Sequence, residues 1–532
     1  MRILAVPASA RPTGWSVDIE VATPGRARRY TCSGLSHACQ QLRVRARRRA
    51  RPVLPRASAQ SASPASPSAS SSAGRNLPYR RVSQVQRYMR LPVWPVQNGL
   101  LCLLLDLLRL KDVANWVETK FGGRVCPMSL DPSFTDPFIL CVHHRHSFTP
   151  WDPIRPIFRL LLPDGFPAHP HRGFETATYI LQGGLRHRDS EGLKQEYTDG
   201  CVQWMTAGQG VLHEEMWLTD RVQHELYQIW VNLPRRSKMC QPRIQMLAGY
   251  EQHEGGTTKG NEKDEADTAY NSKVRSSSVG SMPTSSLGAI PVLRTSTGAS
   301  VAIICGSYEE ESPEAGRKAS PIVTDAEDVR VLHVRIPAGH SALRRQGKSS
   351  PTPFTKASTS SFSIIDTVSD AITSLQRGGT REAKKANGDS GGGSEDEVPY
   401  FSLVLPDSHM CLIYAREGDA SIQQSSSGEC TDLPMHGMAR FASQARSSTS
   451  ESVVKIFAKS GSTDEVDLLL MAGQPSGEPV VAQGAMVMNT ESEVNKAYGD
   501  YQRGMFGIPW DHSLPDEEWL RQVQQAKARR GG

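Results

Sequence analysis

Lysine is missing from the first ninety residues, and acids are nearly so: seventeen arginines stand against Asp18 and Glu20 alone. A leader this rich in Arg and Ser, with so little apolar surface to bury, cannot form a folded domain. The chain also has no long hydrophobic run. Its most apolar stretch, GLLCLLLDLLRL at 99–110, holds about a dozen residues with Asp106 inside it, where a membrane span needs about 20. Paired cysteines are lacking as well. The ten cysteines form no C-x-x-C and no regular framework, which fits free thiols in a reducing compartment. Finally, the basic charge is confined to the leader. It carries +15 of a total of +6, so the remainder is −9, and an acidic body is a poor non-specific binder of phosphate backbones. No direct nucleic-acid binding is expected.

What is present falls into segments. Residues 1–90 read as a disordered transit peptide, addressed to a plastid or alternatively to a mitochondrion. The cluster RVRARRRAR at 43–51 leaves a nuclear signal open, with a nuclear or cytoplasmic protein if the leader is not a transit peptide. Residues 91–130 form a helical extension. Its apolar half reads as a buried or docking helix, with membrane-surface contact as the weaker alternative, followed by the amphipathic KDVANWVETKF. From 131 to 250 short runs rich in β-branched and aromatic residues, FETATYIL, LRHRDS, CVQWMTA, VLHEEMW and ELYQIWVNL, are bounded by QGG, TDG and AGQG. That spacing marks an antiparallel barrel or sandwich. Residues 251–288 read as a disordered insertion and 289–484 as a second strand set, interrupted by low complexity at 346–397. Residues 485–532 carry two helices, one after Thr490 and one from Ser513. The fold class is all-β.

Chemistry concentrates between Gly165 and Trp217. His169-Pro170-His171 and His213-Glu214-Glu215 each sit in a strand-like run. Along a strand, residues i and i+2 share a face, so His169 pairs with His171, and His213 with Glu215. If the two strands lie about 5 Å apart, three imidazoles and a carboxylate converge. Such a donor set suits iron, zinc, copper or nickel. Glu175 is a rival ligand, but along an unbroken strand it stands about 13 Å from His171 unless Gly173 bends the chain. His143, His144 and His146 form a third cluster with no H-x-E partner, which reads as a polar entrance or as support for the ligands. Trp204, Met205, Trp217, Phe174 and Tyr179 are candidates to line a pocket for a flat aromatic molecule, each also a plausible core residue.

The motifs GFPAHPHRGFET, HRDS, QWMTAGQGVLHEEM and QIWVNLPRRSKMCQPRIQ, with a second match at 472–507, resemble the pirin family of the cupin superfamily. The resemblance is weak and interrupted between about 250 and 467. It implies two cupin barrels of antiparallel, jelly-roll type. It also implies a metal held by His169, His171, His213 and Glu215, with Fe(II) first and Zn, Cu, Ni or Mn as alternatives. Family members are described as quercetinases and as iron-dependent transcriptional coregulators. The first role implies a flavonol and dioxygen as substrates, with Glu215 as general base and Glu214 displaced to the opposite strand face. The second implies a redox-responsive module with a protein partner and no turnover; a structural zinc or nickel site is a third expectation. In the second barrel His333, His340, His409 and His436 show neither H-x-H nor H-x-E, and read as packing.

Overall fold

Most strands of residues 124–248 are buried on both faces, which is why hydrophobic alternation along them is weak. FILCVHHRHS (Phe138–Ser147), CVQWMT (Cys201–Thr206) and VLHEEMW (Val211–Trp217) have no exposed position. One face of each lines a barrel; the other is covered by a second barrel or by the C-terminal tail. The computed structural model describes residues 77–150, 152–159, 163–251, 284–310, 317–338, 398–442, 450–459 and 465–530. It adds the backbone of 16–23, 26–33 and 274–278.

The first barrel is made of two sheets. Five strands run in the order Val274–Ser278, Leu193–Thr198, Gly184–Asp189, Val211–Trp217, Gly165–His171. Eight others include Arg243–Ala248, Cys201–Thr206, Phe174–Gln182, Gln223–Asn232 and Phe138–Ser147 as neighbours. Ile180 and Leu226 from the larger sheet pack with Leu185, Tyr197 and Trp217 from the smaller between the two layers. The second barrel repeats the plan. A seven-stranded sheet supplies Ile303, Leu332, Ile413 and Leu470, and a four-stranded sheet supplies Phe401, Leu403, Ile422 and Ile456, to one core. The large sheets of the barrels face each other, and Tyr179, Trp204, Tyr227 and Ile229 pack there with Val331, Leu412, Tyr414 and Leu469. The chain is thus an all-β protein of two cupin barrels.

The ordered chain begins earlier than composition suggests. Val82–Arg87 is an edge strand paired to Gly437–Phe441 of the second barrel, and the buried Arg80 guanidinium donates to the carbonyls of Pro406, Asp407 and His409. An exposed sheet edge offers unpaired N–H and C=O groups to any chain that reaches it. The disordered leader therefore does not extend to residue 90. A separate hairpin pairs Ser16–Thr23 with Arg26–Ser33; 1–15, 24–25 and 34–76 of the proposed transit peptide lie outside the described residues. The same edge logic corrects the disordered reading of 251–288 at its end: Val274–Ser278 pairs with Leu193–Thr198, and Thr284–Ser286 runs parallel to Arg243–Ala248, while 252–273 and 279–283 lie outside the described residues. The low-complexity stretch at 346–397 and His340 lie outside the described residues.

The extension folds as two helices, Val96–Leu107 and Lys111–Phe121. Only Gly99 and Cys102 of the first are buried, while Leu100, Leu101, Leu103, Leu104, Leu107 and Leu108 stay exposed, so it is not a core helix. Among the described residues no helix is long and apolar enough to cross a membrane. At the other end Glu491–Gln502 starts where expected: Thr490 accepts from the Glu493 N–H, and Glu493 accepts from Asn489 N, a reciprocal cap. The last helix, Asp516–Arg530, begins after Pro515 rather than at Ser513. The tail bearing both helices returns to the first barrel. Met486, Val494, Phe506, Trp510 and Trp519 cover Leu212 on the outer face of its five-stranded sheet.

Candidate metal centre

The strands Gly165–His171 and Val211–Trp217 are antiparallel neighbours, with His213 opposite His169 and Val211 opposite His171. Strand parity then turns His169, His171 and His213 to the barrel interior. Their ring centroids lie 4.7, 4.5 and 4.6 Å apart, and one ligand atom from each falls within 4.8 Å of the other two. The pairing is irregular just beyond: Glu215 faces Phe166, so two residues after His213 span three after Phe166. A bulge of this kind re-aims side chains. The Glu215 carboxylate is not among the ligand atoms that lie within 4.8 Å of one another. It accepts from Thr178 Oγ1 (2.8 Å), Tyr197 Oη (3.2 Å) and Gln228 Nε2 (3.0 Å). It remains close enough for its charge to favour protonation of His169.

The three imidazoles are prepared as ligands. Burial is the largest influence on each, pushing His169 below the ordinary imidazole range and His171 and His213 well below it. Burial disfavours the charged form, so neutral rings with free lone pairs prevail, as metal binding requires. His169 Nδ1 donates to the Pro167 carbonyl at 2.8 Å, leaving Nε2 bare. That Nε2 lies 3.1 Å from Nε2 of His213. His171 is 1% exposed, yet neither of its ring nitrogens has a hydrogen-bond partner among the described residues. A buried polar group left unpaired costs about 1–3 kcal/mol. A cation among these nitrogens would satisfy His171 and separate the two facing Nε2 atoms. The residues present therefore fit a divalent transition metal.

Other sequence candidates fall elsewhere. Glu175 points away from the histidines: its carboxylate accepts from Thr206 and Thr324 and lies 3.7 Å from Arg243. Glu214, on the outer strand face, accepts from Trp510 Nε1 (2.8 Å) and Arg186 (3.1 Å), and so serves the docked tail. The third cluster divides by parity. His143 faces the second barrel and bonds Glu225 (2.7 Å) and Tyr414 (3.0 Å). His144 and His146 face inward, stacked on each other and packed against Trp217, with Phe166 edge-on to His144. Trp204 and Tyr179 lie in the core between the barrels, whereas Phe174 packs its ring against His171. In the second barrel His333 is held between Asp467 (2.9 Å) and Tyr179 (2.7 Å). Sequence reasoning assigned no role to His187 and Asp189, although their i, i+2 spacing inside HRDS was a usable signal. They are fully buried behind His213.

Comparison with known proteins agrees with this architecture. The pirin family model matches residues 126–231, and the model of the pirin C-terminal cupin domain matches 397–507. A pirin-like protein of Arabidopsis thaliana is 26% identical over 386 residues, 73% of this chain and 94% of its own length. A Pseudomonas aeruginosa protein named provisionally as a quercetin 2,3-dioxygenase is 26% identical over 348 residues, 65% of this chain and 81% of its own. Rat pirin is 50% identical over 90 residues, 17% of this chain and 31% of its own. Among solved structures, a quercetin 2,3-dioxygenase of Acinetobacter baumannii aligns over 81% of this chain and 99% of its own at 20% identity, with a TM-score of 0.47.

Proposed function

The chain belongs to the pirin family, and from that premise we propose that it is an iron-dependent dioxygenase of quercetin-like flavonols. The observation that carries the reading is the neutral trio of the half-buried His169 and the buried His171 and His213, with the orphaned nitrogens of His171. Fe(II) is the ion proposed, with Glu215 as a fourth donor once its carboxylate gives up one of its present hydrogen bonds. The bound ion would supply Lewis acidity and one-electron redox chemistry toward a chelating substrate and dioxygen. The chain's own residues do the rest. Glu215, positioned by Thr178, Tyr197 and Gln228, is the group placed to take the flavonol hydroxyl proton. Trp217, the next inward-facing residue on that strand, and Phe166, opposite Glu215, offer ring faces to a planar substrate. The buried polar rings of His144 and His146 stand against Trp217.

One observation favours a second reading. His171 and His213 are each 1% exposed, and a centre with two of its three ligands so enclosed also suits a redox-responsive iron module that contacts a protein partner without turnover. Metal content and oxygen uptake on addition of quercetin, measured on the wild-type chain and on His171→Ala, separate the two. Stoichiometric iron with oxygen consumption that vanishes in the variant is the expected result. Iron without oxygen uptake transfers the assignment to the redox module, and a metal-free wild type refutes both.

A further inference from the structure

His187 and Asp189 lie on the inner face of Gly184–Asp189, the strand on the other side of Val211–Trp217 from His169. Both are fully buried. The flanking arginines of the same run face outward: Arg186 bonds Glu214, and Arg188 bonds Asp516 and the Leu514 carbonyl. The sequence Arg-His-Arg-Asp therefore sends two cations to the tail and an imidazole and a carboxylate inward. Inside, His187 Nε2 lies 3.1 Å from Asp189 Oδ2, and His187 Nδ1 lies 3.4 Å from Nδ1 of His213. The other oxygen of Asp189 accepts the N–H groups of Glu191 (2.8 Å) and Leu193 (3.1 Å), which anchors the carboxylate in the following turn.

We infer that His187, held by Asp189, is a positioning residue that fixes His213 in the tautomer required of a metal ligand. The inference rests on the metal reading given above. A neutral imidazole has one N–H and one bare nitrogen. Facing Asp189, which is placed as an acceptor, His187 carries its hydrogen on Nε2 and donates it there. Its Nδ1 is then bare and can only accept. The hydrogen between the two Nδ1 atoms therefore belongs to His213, and Nε2 of His213 is bare. His169 reaches the same state by another route, through its Nδ1–H to the Pro167 carbonyl. The two bare Nε2 atoms meet at 3.1 Å, an arrangement that repels without a cation and holds one well. Two of the three imidazoles are thus set by dedicated acceptors, one a backbone carbonyl and one a histidine backed by a carboxylate.

Partners of this kind are typically worth ten- to a hundredfold in metal affinity. The test uses the full chain and Co(II) as probe, reading affinity, the visible absorption of the bound ion and the thermal midpoint of the metal-free protein. His187→Phe should weaken Co(II) binding about 10- to 100-fold and alter the visible spectrum, with the metal-free midpoint within a few degrees of wild type. His187→Gln, whose carbonyl can still accept from His213 Nδ1, should recover most of the affinity. If His187→Phe does not fold, His187→Met, which fills the space without that acceptor, takes its place under the same expectation. Affinity within twofold of wild type and an unchanged spectrum in the Phe or Met variant overturn the inference. A wild type that binds no Co(II) overturns the metal reading itself, a separate result.

Discussion

Glu214 and Glu215 are adjacent, both buried, and engaged on opposite faces of one strand. Glu214 faces the tail, where burial pushes its carboxyl upward against the pull of Arg186, Trp510 and Arg188. Glu215 faces the histidines. Glu214→Gln should therefore lower stability by roughly 2 kcal/mol, the scale of a buried charge-assisted hydrogen bond, and leave bound metal unchanged. Glu215→Gln, which replaces a buried acceptor of three hydrogen bonds, should also lower stability, and in addition weaken iron binding and abolish oxygen uptake with quercetin. Chemical denaturation with metal analysis on both variants checks the pair, and an identical phenotype would contradict the division of roles. Parity alone made His169, His171 and His213 legible, because i and i+2 share a face whatever the fold. The aim of the Glu215 carboxylate was not legible. It depends on Thr178, Tyr197 and Gln228, residues that are distant in sequence or on other strands.

At the scale of elements, the turn after the H-P-H strand is locked by the tail. Gly173 has φ +85, and a Cβ there would stand 2.0 Å from the Val487 carbonyl oxygen. The buried Lys238 ammonium donates to that oxygen (3.1 Å), to the Gly173 carbonyl (2.9 Å) and to Asn232 (2.7 Å). Arg172 binds Asp500 of the first tail helix at 2.7 Å. Gly173→Ala combines an unfavourable φ with a backbone clash, each costing on the order of 1–3 kcal/mol. It should lower the denaturant midpoint and reduce iron content together, since His171 lies two residues upstream. Unchanged metal content in a destabilised variant would show that the turn is not coupled to the ligands. The strand runs and the Thr490 cap were readable because their signals are local. The edge strands at 82–87, 274–278 and 284–286 were not, because edge pairing is decided by where a sheet ends in space.

Across the whole molecule, the two barrels are joined by charge as well as apolar contact. Glu225 accepts from His143, Arg145 and Arg416, while Asp467 accepts from Arg416, Arg335 and His333. The nearby guanidinium groups hold both carboxyls below their ordinary range despite burial. Histidines sit on either side of this junction, and burial lowers the folded pKa of His143, His144, His146, His171, His213, His224, His333 and His436. The sign follows from linkage. Each ring stays neutral when folded but protonates in the unfolded chain near pH 6.5, so the unfolded state binds more protons and stability falls as pH drops. His224, lowered to about 4, alone accounts for on the order of 3 kcal/mol between pH 6.5 and 4. Glu175 and Glu214, raised by burial, act in the opposite sense but are fewer. The metal-free protein should therefore lose stability steeply from pH 6.5 downward, with Glu225 and Asp467 adding to the loss at still lower pH. Thermal unfolding of the metal-free chain between pH 7.5 and 4.5 tests this, and a midpoint that stays level across that window would mean that these histidines are already protonated in the fold.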